Sequence, residues 1–168
     1  ENAASQLNDQ IAGIKALHGD RGWKTKVLDA TFEKSEGAAG LQPAIQRLCD
    51  EAEQAINDGY SFLVISDHTT STTRVPISSL LACGAVHHHL VHKELRTRVG
   101  LILESGEARE VHHFCLLTGY GADAINPYLA FETLRDAKDS GHLKGDFTEE
   151  KIVATYREGV SKGMLKVM

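Results

Sequence analysis

Residues 60–66 read Tyr60-Ser-Phe-Leu-Val-Ile-Ser66, and this short run decides the fold class. It is almost continuously apolar, as is typical of a β-strand covered on both faces. The segment before it, 41–58, carries apolar residues at spacings of three and four, which predicts an amphipathic helix that Gly59 ends. Pro76, which follows the strand, predicts the first turn of another helix. A buried strand between two helices indicates a parallel sheet.

The same alternation of strand and helix occurs four times along the chain. Strands that alternate with longer helices pair in parallel through right-handed crossovers. We therefore predict an α/β fold of four parallel strand-helix units, which resembles half of an eight-unit TIM-type (β/α) barrel. The predicted strands cover 25–28, 60–66, 99–103 and 122–125, and the predicted helices cover 41–58, a segment opening at Pro76, 107–117 and 128–137.

Extra helices are predicted at both ends of the chain. The first twenty residues carry apolar residues at spacings of three and four, namely Leu7, Ile11, Ile14 and Leu17. Near the other end, Asp146 with Glu149 three residues later predicts a capped helix start, and Ile152, Tyr156 and Val160 continue that helix. We expect 1–140 to form one α/β unit, and 141–168 to form a linker and a helix.

Composition narrows the possible functions. The chain has 168 residues, 42% of them apolar, which suffices for one hydrophobic core. Its net charge of −5 argues against nucleic-acid binding, and no apolar run approaches the roughly 20 residues of a membrane helix. We expect a soluble, cytoplasmic protein. The three cysteines, Cys49, Cys83 and Cys115, are far apart in apolar helical patterns, which favours buried thiols over a disulfide or a cluster site.

Four stretches are distinctive and follow one another along the chain: 23–32, 76–91, 96–114 and 119–134. The second reads Pro76-Ile-Ser-Ser-Leu-Leu-Ala-Cys-Gly-Ala-Val-His-His-His-Leu-Val91, and the last reads Gly119-Tyr-Gly-Ala-Asp-Ala-Ile-Asn-Pro-Tyr-Leu-Ala-Phe-Glu-Thr-Leu134. Together they resemble the large chain of glutamate synthase. The resembling part is the second half of the central domain and the lead-in to the FMN-binding barrel, which places 141–168 on the way to that barrel.

The resemblance implies a function for the full-length enzyme. An amidotransferase domain releases ammonia from glutamine, and the ammonia passes through the interior to an FMN barrel. There it adds to 2-oxoglutarate, and reduction through FMN and a 3Fe-4S cluster gives glutamate. No catalytic, flavin-binding or metal-binding residue of that family maps onto this sequence. We therefore expect a connecting role, with the other domains of the same chain as partners.

The resemblance also implies two properties of the isolated chain. We expect it to be inactive and to bind no flavin. Half a barrel leaves edge strands and apolar helix faces uncovered, so we also expect it to self-associate.

The predicted strands each end at a polar residue: Asp29, Asp67, Glu104 and Asn126. The carboxyl ends of parallel strands meet on one edge of a sheet, where such folds bind ligands, so these residues and His68 are the candidate site. The alternative is that they cap helices or hydrate loops. In the resembling family, position 68 is usually arginine. A stand-alone α/β module that binds a small molecule at this rim is a second candidate function.

A histidine-rich helix suggests a third candidate function. His88 and His92 are one turn apart, as two zinc ligands are in some hydrolases, yet no Glu between them supplies a general base. Histidines bonded in the core or at an interface are the alternative. His88 also belongs to the apolar stripe predicted for this helix, which consists of Ile77, Leu80, Leu81, Gly84, His88, Val91 and Leu95.

Overall fold

The computed structural model describes residues 10–143, 145 and 147–168. Helices make up most of the regular structure, and two short 3-10 helices lie at 34–40 and 96–98. The helices are α1 (described over 10–15), α2 (Leu41–Asn57), α3 (Ser79–His92), α4 (Val111–Gly119), α5 (Tyr128–Asp139) and α6 (Glu149–Val167).

The strands are β1 (His18–Asp20), β2 (Trp23–Asp29), β3 (Thr31–Glu33), β4 (Phe62–Ser66), β5 (Arg74–Pro76), β6 (Gly100–Glu104) and β7 (Ala124–Asn126). One five-stranded sheet organises the described chain, with strand order β1-β2-β4-β6-β7. β2, β4, β6 and β7 are parallel to one another, which confirms the predicted α/β fold. β1 pairs antiparallel with β2, and a separate two-stranded sheet joins β3 to β5.

The core lies between the sheet and helices α2, α3 and α4. Leu63 and Ile65 of β4 contribute to it, with Leu101 and Leu103 of β6. Val64 points to the opposite face, because side chains alternate along a strand, and it is also fully buried. The continuous apolar run at 60–66 therefore does belong to a strand covered on both faces.

The prediction for α3 was wrong in its start and in its buried face. Pro76 ends β5, and the helix begins at Ser79. The carboxylate of Glu107 accepts the backbone N–H of Ser79 at 2.7 Å, so a distant side chain satisfies this helix start. Small residues line the buried face, where they allow close packing, whereas Leu81, His88 and Val91 of the predicted stripe are exposed. The buried residues are Ser79, Ala82, Cys83, Gly84, Val86 and Leu90.

Other helix boundaries also differ from the predictions, and the α2, α4 and α5 ends do so by one or two residues. α4 begins at Val111 rather than at Glu107, and its N-cap is Glu110, whose backbone is extended. The N-cap of α6 is Thr148, whose hydroxyl accepts the N–H of Lys151 at 3.3 Å, and not Asp146, which lies outside the described residues. Of the predicted first helix, Leu7 lies outside the described residues and Leu17 follows the helix end.

The cysteines carry free thiols, as predicted, with Cys49 and Cys83 buried and Cys115 half-buried. Burial raises the pKa of Cys83 to about 11. No helix within the described ranges has the length and apolar character needed to span a bilayer.

Candidate site at the carboxyl ends of the strands

The sheet register places four polar residues side by side at the ends of the parallel strands. Asp29 pairs with Ser66, Ser66 with Glu104, and Glu104 with Asn126. Residues in register on parallel strands share a face, so the four side chains form one polar row. Three of them belong to the candidate site, whereas Ser66 was missed because Asp67 was taken as the polar end of β4.

Glu104 is the centre of the row and is almost completely buried. Its two carboxylate oxygens accept Lys15 Nζ of α1 at 2.7 and 2.6 Å, and the hydroxyl of Ser66 donates to the same carboxylate. A buried carboxylate needs such a partner, because burying an unpaired charge is costly. Lys15 thereby fastens α1 over this face of the sheet. Nothing in the sequence connects Lys15 with Glu104, since 89 positions separate them.

Asp67 lies beside the row in a network of its own. The backbone N–H of Gly106 donates to both of its oxygens, at 3.0 and 2.9 Å, and the hydroxyl of Tyr128 also bonds it. Burial raises the pKa of Asp67, although these two hydrogen bonds oppose the rise. Burial and the charge of Asp67 together raise the pKa of Tyr128. The exposed ring of His68 packs on Tyr128, with ring centroids 4.6 Å apart.

Asp29 belongs to a loop network at the other end of the row. Its carboxylate accepts the hydroxyls of Thr31 and Thr69, each at 2.7 Å, and pairs with Arg74 at 2.9 Å. Burial alone would raise the pKa of Asp29, but the hydrogen bonds from Thr69 and Thr31 and the charge of Arg74 outweigh it and lower the pKa. These contacts tie β2 to the β3–β5 sheet, which is the kind of role that the loop alternative describes.

Asn126 ends the row at β7 with only 3% of its surface exposed. Neither its amide nitrogen nor its amide oxygen has a hydrogen-bond partner in the described part of the chain. A buried polar group without a partner is destabilising by about 1–3 kcal/mol. The Asn126 amide is thus the member of the row whose two side-chain hydrogen-bonding atoms are buried without a partner among the described residues.

The histidines of α3 are used in structural contacts or are exposed. His89 Nε2 lies 2.9 Å from Glu53 and links α3 to α2. His87 Nδ1 accepts Arg96 Nε at 3.0 Å, and burial with the Arg96 charge lowers the pKa of His87. His88 and His92 are exposed. Within 10–143, 145 and 147–168, no group of three or more His, Cys, Asp or Glu side chains is placed to hold a metal ion.

Three side chains of the rim are engaged with partners inside the chain. Ser66 donates its hydroxyl to Glu104, so it is not activated by an imidazole. Glu104 and Asp29 are neutralised by Lys15 and Arg74. The fold and the rim define an α/β domain of half-barrel type whose strand-end charges are mostly paired internally.

Comparisons with known proteins identify the family. A family model described as the glutamate synthase central domain matches residues 6–168. The chain is 51% identical over 146 residues to a glutamate synthase [NADH] of Schizosaccharomyces pombe, with 87% of this chain and 7% of that protein aligned. It is 43% identical over 162 residues to the glutamate synthase [NADPH] large chain of Bacillus subtilis, with 96% and 10% aligned. The chain belongs to the glutamate synthase central domain family.

Two features of the relatives limit what family membership implies. The chain spans a tenth or less of the length of the curated relatives described above. Their names include NADH and NADPH, and a ferredoxin-dependent glutamate synthase of Pyropia yezoensis is 38% identical over 151 residues, with 84% of this chain and 10% of that protein aligned. Membership therefore does not select an electron donor.

Proposed function

We propose that this chain is a structural, connecting part of a glutamate synthase large chain. The full-length enzyme would convert glutamine and 2-oxoglutarate to glutamate by reductive amination, with ammonia passed between its domains. The observation that carries this proposal is the central-domain match over residues 6–168, together with relatives named glutamate synthase. We also propose a cytoplasmic location, which cell fractionation would test.

The catalytic groups of the enzyme lie outside this chain in our proposal. FMN and the 3Fe-4S cluster belong to other domains, and residues 141–168 lead toward the FMN-binding domain. The internal pairing of Glu104 with Lys15 and of Asp29 with Arg74 supports a structural role, because these carboxylates already have partners. The isolated chain would then neither bind flavin nor form glutamate.

The other domains of the large chain are the proposed partners. Four large apolar residues are exposed on α3, on α4 and just after α4: Leu81, Val91, Leu116 and Tyr120, which we call the α3–α4 apolar stripe. Exposed apolar patches of this kind mark interaction surfaces. In the absence of the other domains, this stripe would promote self-association of the chain.

Two assays test the proposal. Purified residues 1–168 are mixed with FMN, the excess is removed, and bound flavin and glutamine-dependent glutamate formation are measured. Neither is expected. The full-length enzyme, assayed alongside, should form glutamate. Stoichiometric flavin or glutamate formation in the isolated chain would show that catalytic residues lie within it.

The amide of Asn126 favours a second candidate, a small-molecule binding module at the rim. Both of its polar atoms lack partners in the described residues, beside the carboxylate of Glu104. A binding role predicts that some amides or amino acids raise the melting temperature of the native chain but not that of Asn126→Leu. Equal shifts in both proteins would dismiss this candidate.

A further inference from the structure

A second cleft lies at the edge of the sheet where the parallel strands begin, opposite the edge that carries the candidate site. Its volume is about 460 Å³, and it is open to solvent. The β1–β2 turn forms one side, and the segment before β6 forms the other. We call it the basic cleft, and it is defined by Arg21, Trp23, Phe62, Arg98 and Gly100.

Arg21 lies in the two-residue turn that joins β1 to β2. Arg21 has a φ of 51°, in the left-handed region that residues other than glycine seldom occupy. Gly22 follows it with a φ of 84° and donates its N–H to the carbonyl of Gly19 at 3.0 Å. Positive φ at both loop residues is what the favoured two-residue β-hairpin turn requires, so the pairing of β1 with β2 accounts for it. The turn therefore fixes the place of Arg21 at the cleft.

The two arginines of the basic cleft differ from most other arginines of the chain. Neither Arg21 nor Arg98 has a carboxylate partner among the described residues, although the chain has a net charge of −5. Four other arginines do pair with carboxylates: Arg47 with Glu51, Arg74 with Asp29 and Glu33, Arg96 with Asp123, and Arg135 with Glu149. Two guanidiniums that have no carboxylate partner in the described part of the chain complement an anionic group, which each can bind in a bidentate manner.

An exposed tryptophan provides the apolar part of the cleft. Trp23, the only tryptophan of the chain, stacks on Phe62 with centroids 5.0 Å apart and planes at 15°, and it remains 48% exposed. Gly100 makes room for this stack, because a Cβ there would lie 2.8 Å from the Phe62 ring. Tryptophan and arginine are the residues most enriched in the energetic centres of protein interfaces.

We propose that the basic cleft docks a polypeptide segment from outside residues 1–168. That segment presents an aspartate or glutamate carboxylate to Arg21 and Arg98, and an apolar or aromatic side chain to the indole of Trp23. The inference rests on the proposed function, in which this chain is one part of a longer protein. Charge complementarity and the Trp23–Phe62 platform select the chemistry of the segment.

The test uses the full-length protein and hydroxyl-radical oxidation of Trp23, measured by mass spectrometry. In the native protein, Trp23 is expected to oxidise at least about tenfold more slowly than in the urea-denatured protein, because the docked segment covers it. The double variant R21E/R98E should abolish most of this protection. R109E is the control, since Arg109 is exposed, lies at another cleft and has no carboxylate partner among the described residues, and it should leave the protection unchanged.

A second measurement identifies the acid. In the Arg98→Lys variant, carbodiimide coupling should join the introduced amine to an Asp or Glu outside residues 1–168. Coupling to a carboxylate within 1–168 of another molecule would mean that a second copy occupies the cleft, which overturns the proposal. If Trp23 is protected but the lysine at position 98 couples to no Asp or Glu, the proposed pairing of a carboxylate with Arg21 and Arg98 is wrong.

The outcome can be separated from that of the proposed function. A full-length protein that forms glutamate from glutamine, while its Trp23 oxidises as fast as in the denatured state, refutes only the docking at the basic cleft. A protein that forms no glutamate, with Trp23 protected, refutes the enzymatic proposal and leaves the interface in place.

Discussion

Glu104 depends on Lys15 because its carboxylate is almost completely buried. We expect Glu104→Gln to lower the free energy of unfolding of the chain by about 1–3 kcal/mol, because the ammonium of Lys15 then faces a neutral amide. The loss is smaller than for a fully buried pair, since Lys15 is partly exposed and can turn toward water. Urea denaturation followed by circular dichroism measures the difference.

Glu158→Gln is the matched control for this change. Glu158 pairs with Lys162 one helical turn away, and both side chains are exposed. Exposed pairs of this kind stabilise by about 0.3–0.5 kcal/mol. If both variants lose the same small amount, the Lys15–Glu104 pair does not hold α1 on the sheet.

Asp67 makes the folded chain less stable as the pH rises, which is the opposite of the usual effect of a carboxyl group. Burial raises its pKa above the ordinary value of 3.8, so the folded chain holds this proton more tightly than the unfolded chain. The resulting stabilisation is fully present below pH 3.8 and is lost as the pH rises through the raised pKa. We therefore expect the free energy of unfolding of the native chain, relative to Asp67→Asn, to fall with rising pH across that window.

Asp123→Asn is the control, because the pH dependence of stability that Asp123 contributes has the opposite sign to that of Asp67. Burial would raise the pKa of Asp123, but the hydrogen bonds from Leu101 and Arg96 and the charge of Arg96 lower it below 3.8. Its stabilisation is present above pH 3.8 and is lost as the pH falls through the lowered pKa. Parallel pH curves for the two variants would contradict the assigned directions.

At the scale of one element, α3 offers two leucines in contrasting positions. Leu90 is fully buried, whereas Leu81 is 44% exposed. Leu90→Ala should lower the free energy of unfolding by about 2–5 kcal/mol, because it removes buried methyl groups and leaves a cavity. Leu81→Ala should change it by less than about 1 kcal/mol. If the two variants lost similar amounts of unfolding free energy, Leu81 would be as buried as Leu90, and the stripe predicted from the sequence would be the buried face of α3.

Element types were predictable where the apolar pattern was long or continuous. The four parallel strands of the sheet and helices α2 and α5 follow from such patterns. β1, β3 and β5 were missed because each has only three residues and none lies directly between two predicted helices, whereas the equally short β7 does. The start of α3 was missed because Glu107, 28 residues away, accepts its first N–H, and sequence neighbours give no sign of that contact.

The candidate site was predictable only in part, for the same reason. Strand ends located Glu104 and Asn126 at one edge, since register follows from parallel pairing. The partners that define their environment, Lys15 and Tyr128, come from other elements and are joined to the rim by tertiary contacts. Whether the rim residues act as a site stays a prediction.

At the scale of the whole molecule, we predict that the isolated chain self-associates through the α3–α4 apolar stripe. Light scattering over a range of concentrations should give a mass above 18.3 kDa. Leu81→Asp with Leu116→Asp should return the mass to the monomer value, because charges at a desolvated contact oppose it. Leu165→Asp, at an exposed leucine on α6, is the control and should not. A monomer at every concentration contradicts the prediction.

The position of α1 has a consequence for how this sheet can be extended. Lys15 bonds Glu104, which shares a face with Val64 and Ile102, and in a closed barrel that face would be the interior. α1 thus lies in the space that further strands would enclose. β1 pairs with the first residues of β2, on the edge of β2 that faces away from β4. Two copies of the chain cannot join their sheets into one eight-stranded barrel while α1 stays in place. The contact between α1 and Glu104 is therefore incompatible with closure of this sheet into a barrel.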